Sequence, residues 1–181
     1  MSFPDPRTVD ELLNYRLSCL LEASGAMITR LCEGRYGITR REWRLIALLA
    51  AHGAMSPSEL ALRAKLERPR VSRLITELVA KGITARVGDR EDKRRALVRL
   101  TDEGSALVRL TDEGSALYEE LFPRTIVFHK QVLAALSAEE LAAFDAALLK
   151  LTEQATRIAA MKPVAEKADR RHGGARKIKR T

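Results

Sequence analysis

Cysteine is scarce in this chain. Two cysteines in 181 residues exclude a disulfide-built scaffold, and no CxxC pair offers zinc-ligand spacing. A chain that needs no disulfide suits a reducing compartment, so a cytoplasmic protein is expected. Ten glycines and six prolines are too few for a collagen-like or low-complexity protein. No apolar run approaches the roughly 18 residues of a membrane span. The opening MSFPDPRTVDELL lacks the basic-then-apolar order of a signal peptide. The three histidines stand far apart, at 52, 129 and 172. No HExxH, no GxSxG and no glycine-rich phosphate loop occurs, so no enzyme, metal site or cofactor is expected.

What the chain does contain is apolar and cationic. Hydrophobic residues make up 46% and charged residues 31%, enough for a core and too apolar for a wholly disordered chain. The length suits one or two domains. The net charge of +8 is unevenly spread. Residues 162–181 hold eight Lys/Arg against two acids, and residues 63–99 hold twelve against five, so the rest is acidic on balance. A basic segment in an otherwise acidic domain is the electrostatic footprint of a polyanion partner. A solvated charged face is the competing explanation.

Long helical stripes bracket the chain. Leu13, Leu17, Leu20, Ser24, Met27 and Leu31 alternate steps of four and three, predicting a first helix over roughly 8–33. Leu141, Phe144, Leu148, Leu151, Ala155 and Ile158 repeat that spacing in a helix that opens on a Ser137/Glu140 capping box and stops before Pro163. Both stripes suit either helix–helix dimerisation or packing within one chain. Between them, Thr39 and Glu42 form a capping box for a helix over about 40–52, closed by Gly53. Ser56-Pro57-Ser58-Glu59 starts a short helix that gives way near Lys65. Pro69 starts another over about 68–81, with Val71, Leu74, Ile75 and Leu78 as its buried face and Gly82 as its stop. The period then changes. Ile83, Ala85 and Val87 alternate with Thr84 and Arg86 as a strand, GDREDKRR reads as a turn, and Arg95–Leu100 reads as the return strand. Helix, short helix, helix and hairpin make a winged helix-turn-helix layout.

Residues 96–105, ALVRLTDEGS, are repeated without change as 106–115. Two arrangements compete. Either the first copy forms the wing strand and the second extends the following helix, with Leu107, Leu110, Gly114, Leu117 and Leu121 as one stripe, or the second copy pairs and the wing is lengthened. The first is favoured, because the second brings Asp102 and Glu103 towards the wing, where a polyanion repels them.

The predicted 68–81 helix presents Arg68, Ser72 and Thr76 outward, with Arg70 and Arg73 flanking. A helix fits the major groove, and an arginine fork matches guanine O6 and N7. Arg70 and Arg73 are expected to read bases or clamp phosphates, and Ser72 to contact phosphate. Ser56, Pro57 and Ser58 open the preceding helix, whose free N–H groups suit a backbone phosphate; plain capping explains them equally well.

The stretches ITRREWRLIALLA (38–50), MSPSELALRAKLERPRVSRLITELVAKGITAR (55–86), DREDKRRALVRLTDEG (89–104) and LSAEEL (136–141) together resemble the MarR family of bacterial transcription regulators, over roughly residues 10–160. The resemblance implies a mainly α fold with a small β-hairpin wing and a dimer scaffold of long N- and C-terminal helices. It divides the chain into an N-terminal dimerisation helix (1–36), a winged helix-turn-helix DNA-binding domain (37–104), C-terminal dimerisation helices (105–161) and a basic, disordered tail (162–181). It implies a homodimer on a pseudo-palindromic operator in double-stranded DNA, most simply a repressor released by a small aromatic or heteroaromatic carboxylate. Matching the family's wing pattern, Asp92 and Arg94 would order the wing and deliver a guanidinium, with Arg90, Lys93 and Arg95 beside them; a narrow minor groove favours such an arginine. An effector pocket would lie between dimer helices and winged domain, with Tyr15, Arg16, Trp43 and His129 as candidates, although Trp43 also reads as plain core. Two features depart from the family pattern: the doubled LTDEG and the basic tail. A thiol-based oxidation sensor using Cys19, and a helical oligomerisation or adaptor protein, are the alternative functions.

Overall fold

The structure is a computed structural model that describes residues 4–88 and 106–161. The chain forms two compact units, Met1–Val132 and Leu133–Thr181. In the first, a 3-10 turn (Val9–Glu11) precedes the long helix α1 (Leu13–Tyr36). Gly37, at φ 61°, ends α1 in the left-handed conformation that glycine tolerates. Helix α2 (Arg40–His52) begins on the expected capping box. The Glu42 N–H donates to Thr39 Oγ1 at 3.2 Å, and the Thr39 N–H donates to Glu42 Oε2 at 2.6 Å. Helix α3 (Pro57–Ala64) has Ser56 as N-cap and proline in its first turn, where a missing N–H costs nothing; it stops at Lys65, φ 55°. Helix α4 (Arg68–Ala80) follows.

Apolar spacing drives the packing of α2, α3 and α4. Leu45, Ile46 and Leu49 of α2, Leu60, Ala61 and Ala64 of α3, and Val71, Leu74, Ile75 and Leu78 of α4 are all buried in one core. Each such leucine, isoleucine or valine contributes about 1.5–3 kcal/mol when taken from water. The four α4 positions are those that its helical period picks out.

The hairpin corrects the sequence reading. Strand β1 (Thr84–Gly88) pairs antiparallel with β2 (Ala106–Leu110), which is the second copy of the repeat. The register runs from Thr84↔Leu110 to Gly88↔Ala106. The favoured arrangement, with the second copy inside a helix, is therefore wrong, and Leu107 and Leu110 belong to a strand. The wing's return strand also lies beyond the expected domain boundary at 104. The expected strand Arg95–Leu100 and the first copy lie outside the described residues. Identical sequences have identical propensities, so context decides between the copies. Ten residues inserted into a helix advance it by about 15 Å and leave it roughly 80° short of three whole turns. That would carry Leu121, now fully buried, off the core. Placed between the strands, the same ten residues shift nothing downstream, and lengthening a loop costs only about 0.6 kcal/mol per doubling.

The second copy is also the one fastened down. Val108 is fully buried and exchanges hydrogen bonds with Met55, N–H to carbonyl, at 2.9 and 3.0 Å. The Thr111 hydroxyl donates to the Gly82 carbonyl at 2.6 Å and accepts the Gly114 N–H at 3.1 Å, which caps the next helix. That helix, α5 (Asp112–Leu133), crosses β1 so closely that a Cβ at Gly114 would overlap the Ile83 carbonyl oxygen. Strand alternation is only partly as expected. Thr84 is buried while Ala85 and Val87 are half-buried, and the Thr84 hydroxyl has no hydrogen-bond partner among the described residues.

The second unit contains helix α6 (Ala138–Met161). Its predicted capping box is present: the Ser137 N–H donates to Glu140 Oε2 at 2.8 Å, and the Glu140 N–H to Ser137 Oγ at 3.2 Å. None of its residues is buried.

Candidate nucleic-acid interface

Burying Val71, Leu74, Ile75 and Leu78 turns the rest of α4 outward. Arg68, Pro69, Arg70, Arg73 and Thr76 are exposed and Ser72 is half-buried. The N-terminus of α3 lies alongside, because Arg68 Nη2 donates to Ser58 Oγ. Ser56 is occupied as the N-cap of α3, its Oγ accepting from the Glu59 N–H at 3.2 Å. Arg70 and Arg73 make no hydrogen bond or ion pair with any described residue, so their full guanidinium forks face solvent. The structure thus brings Ser56, Pro57, Ser58, Arg68, Pro69, Arg70, Ser72, Arg73 and Thr76 onto adjoining parts of one face. The wing candidates Arg90, Asp92, Lys93, Arg94 and Arg95 lie outside the described residues.

One cation on this face was not expected. Arg86, on β1, reaches back to α4 and donates from Nη2 to Thr76 Oγ1 at 3.4 Å. With Pro57, Arg68, Pro69 and Ser72 it lines a cleft of about 540 Å³. Its position as the polar member of an alternating strand was visible, but which helix the hairpin folds against was not. Helix α4 is held from its far end by a second non-local contact. Lys81 Nζ donates to Glu42 Oε1 at 2.7 Å and to the Gly37 carbonyl at 2.9 Å. The Glu42 side chain is 1% exposed, so the ion pair is shielded from solvent at its acidic end.

The effector candidates are not gathered into one site. Trp43 is buried, with its ring stacked 5.7 Å from Tyr118, which stacks 5.0 Å from Phe122. It borders a mainly apolar cavity of about 320 Å³ with Ile28, Arg40, Arg44, Ala47 and Leu48. Tyr15 and Arg16 are exposed near the start of α1, and His129 is exposed on α5. The Tyr15 phenol is raised above its ordinary pKa, chiefly by Cys19 beside it and then by Asp10. Cys19 itself is exposed, whereas Cys32 is buried. Burial, aided by the Glu33 charge and opposed by Arg40, pushes the Cys32 thiol up to about 11. Among the described residues no group of His, Cys, Asp and Glu is arranged to hold a metal. No helix among them is long and apolar enough to cross a membrane.

This architecture has relatives. Residues 36–95 match the model of the MarR family. The HTH-type transcriptional regulator FarR of Neisseria gonorrhoeae is 33% identical over 104 residues, which is 56% of this chain and 64% of that protein's length. The crystal structure of the MarR family transcriptional regulator SPO1453 from Silicibacter pomeroyi DSS-3 superposes with a TM-score of 0.66 at 27% identity, over 82% of this chain and 98% of the other. The crystal structure of NadR in complex with 4-hydroxyphenylacetate gives a TM-score of 0.62 at 25% identity, over 81% and 96%.

Proposed function

The chain belongs to the MarR family, and on that premise we propose that it is a homodimeric, sequence-specific DNA-binding regulator of transcription. One observation carries the reading: a helix with its apolar face buried presents Arg68, Arg70 and Arg73 outward, beside Arg86 of the hairpin. Such a rod fits the major groove, and each bidentate arginine–guanine contact discriminates by about 1–3 kcal/mol. Ser56–Ser58 and Thr76 supply phosphate contacts at its edges, and the wing cations extend the footprint. Two-fold symmetry of the protein requires a pseudo-palindromic operator. The dimer reading is supported by the apolar side chains that α6 leaves exposed, among them Phe144, Leu148 and Leu151.

The regulator acts as a repressor that a small aromatic carboxylate releases. NadR, as its structure describes, holds 4-hydroxyphenylacetate. Here the apolar cavity beside Trp43 offers space for a ring, and Arg40 and Arg44 on its wall offer a cation for the carboxylate. The thiol-sensing alternative fares worse. Cys19 and Cys32 lie thirteen positions apart on the continuous α1, about 20 Å along its axis, whereas a disulfide needs Cα atoms within about 7 Å.

The experiment is an anisotropy titration of the full chain against upstream DNA from its own genome. Affinity for a specific fragment should fall linearly in log–log with salt and exceed that for scrambled DNA by about a thousandfold or more. An adaptor protein would show neither behaviour.

A further inference from the structure

A second cavity lies among α1, α2 and the start of α4. It measures about 540 Å³, within the range of small-molecule sites. Its wall carries Arg40, Arg41 and Arg44 of α2 and Arg70 of α4, opposed by Glu22 and Glu33 of α1. Four guanidiniums against two carboxylates leave an excess of positive charge. The acids do not neutralise the arginines directly, since no ion pair among the described residues joins them. Arg40, Arg41 and Arg70 have no hydrogen-bond partner among the described residues, and Arg44 is steadied by donating to the Ala64 carbonyl at 3.1 Å. Arg40 is also fixed in place. Its guanidinium fills a notch in α1 at Gly25, where a Cβ would overlap it. Planar forks of this kind recognise oxyanions bidentately.

We propose that this cleft binds a small multivalent oxyanion, a phosphate ester or a di- or tricarboxylate, across the α2 arginines and Arg70. The site is distinct in chemistry from the apolar cavity beside Trp43, although Arg40 and Arg44 stand on the wall between them. Arg70 also lies on the face proposed to meet DNA, so one guanidinium serves two anions and occupancy of the cleft competes with the operator. That competition rests on the DNA-binding reading; the cleft itself does not.

Two measurements keep the claims apart. Calorimetry of the full chain with pyrophosphate and with citrate, no DNA present, tests the site. One equivalent per protomer should bind at least one of them in the micromolar to low millimolar range, with acetate bound at least tenfold more weakly. Arg41→Gln, an exposed change, should weaken that binding about tenfold. Operator titrations then test the coupling. The same anion should lower operator affinity in the wild type at constant ionic strength, much less so in Arg41→Gln, while Arg41→Gln alone leaves operator affinity within about twofold. No saturable heat with either probe, or heat unchanged by Arg41→Gln, overturns the site. If Arg41→Gln instead weakens the operator and flattens its salt dependence, the cleft is a DNA-backbone contact and the proposal is wrong. If no DNA is bound at all, the functional reading fails and the calorimetry still decides the cleft.

Discussion

Helices α4 and α6 are both amphipathic, and they meet opposite fates. In 13 residues, α4 buries four large apolar side chains and shows solvent an arginine-rich face. In 24 residues, α6 buries none, and Phe144, Leu148, Leu149, Leu151 and Ile158 remain exposed. The first helix is completed by residues of its own unit; the second has its apolar stripe and nothing in its unit to cover it. A repeat of four-and-three spacing therefore says that a helix has a face to hide, not whose surface hides it.

The largest effect should come from attacking the uncovered stripe. Replacing Phe144 and Leu148 together by Glu should convert a dimer into a monomer in sedimentation and lower operator affinity about a hundredfold or more, because two linked half-site contacts become separate events. A dimer that survives would break the comparison. The self-sufficient unit should instead be sensitive where its backbones touch. Gly114→Val forces a side chain into the Ile83 carbonyl and should cost roughly 1–3 kcal/mol or more, seen as a lower Tm. Gly104→Val, the same change in the other copy of the repeat, should cost less, since Gly114 already occupies that contact. Equal losses would mean that the copies exchange roles.

Arg73→Ala should weaken specific DNA binding by about 1–3 kcal/mol and leave Tm nearly unchanged, as surface changes usually stay within about 0.5 kcal/mol. Equal damage to both would remove Arg73 from the contact list. The smallest effect belongs to the thiols. Cys19 should react with a thiol reagent in the native protein, and Cys32 only on unfolding. Folding holds the Cys32 proton more tightly than the unfolded chain does, so its stabilising effect is complete below pH 9.0 and is lost as pH rises towards about 11. Urea titrations across that window, with Cys32→Ala as control, would detect it.

Local signals were legible and non-local ones were not. Thr39/Glu42, Ser56-Pro57 and Ser137/Glu140 announce helix starts because each cap is closed within a few residues. The α4 core face followed from period alone. The choice between two identical decapeptides could not, because it depends on which one leaves Leu121 facing the core and Thr111 under Gly82. Arg86 was readable as a strand's polar member, yet its approach to Thr76 depends on how the hairpin folds over α4. The Arg40 notch at Gly25 joins residues of different helices, and nothing in either stretch foretells it.

The buried carboxylate of Glu42 is shared property. With one oxygen it closes the first turn of α2, and with the other it grips Lys81 at the tail of α4, while Lys81 also holds the carbonyl of Gly37. The stem of the molecule and its reading head are thereby pinned together at a single rivet. A small tilt of α1 against α2 has to swing the far end of α4 about that rivet, so movement begun in the long helices would arrive at the arginines as a change of aim.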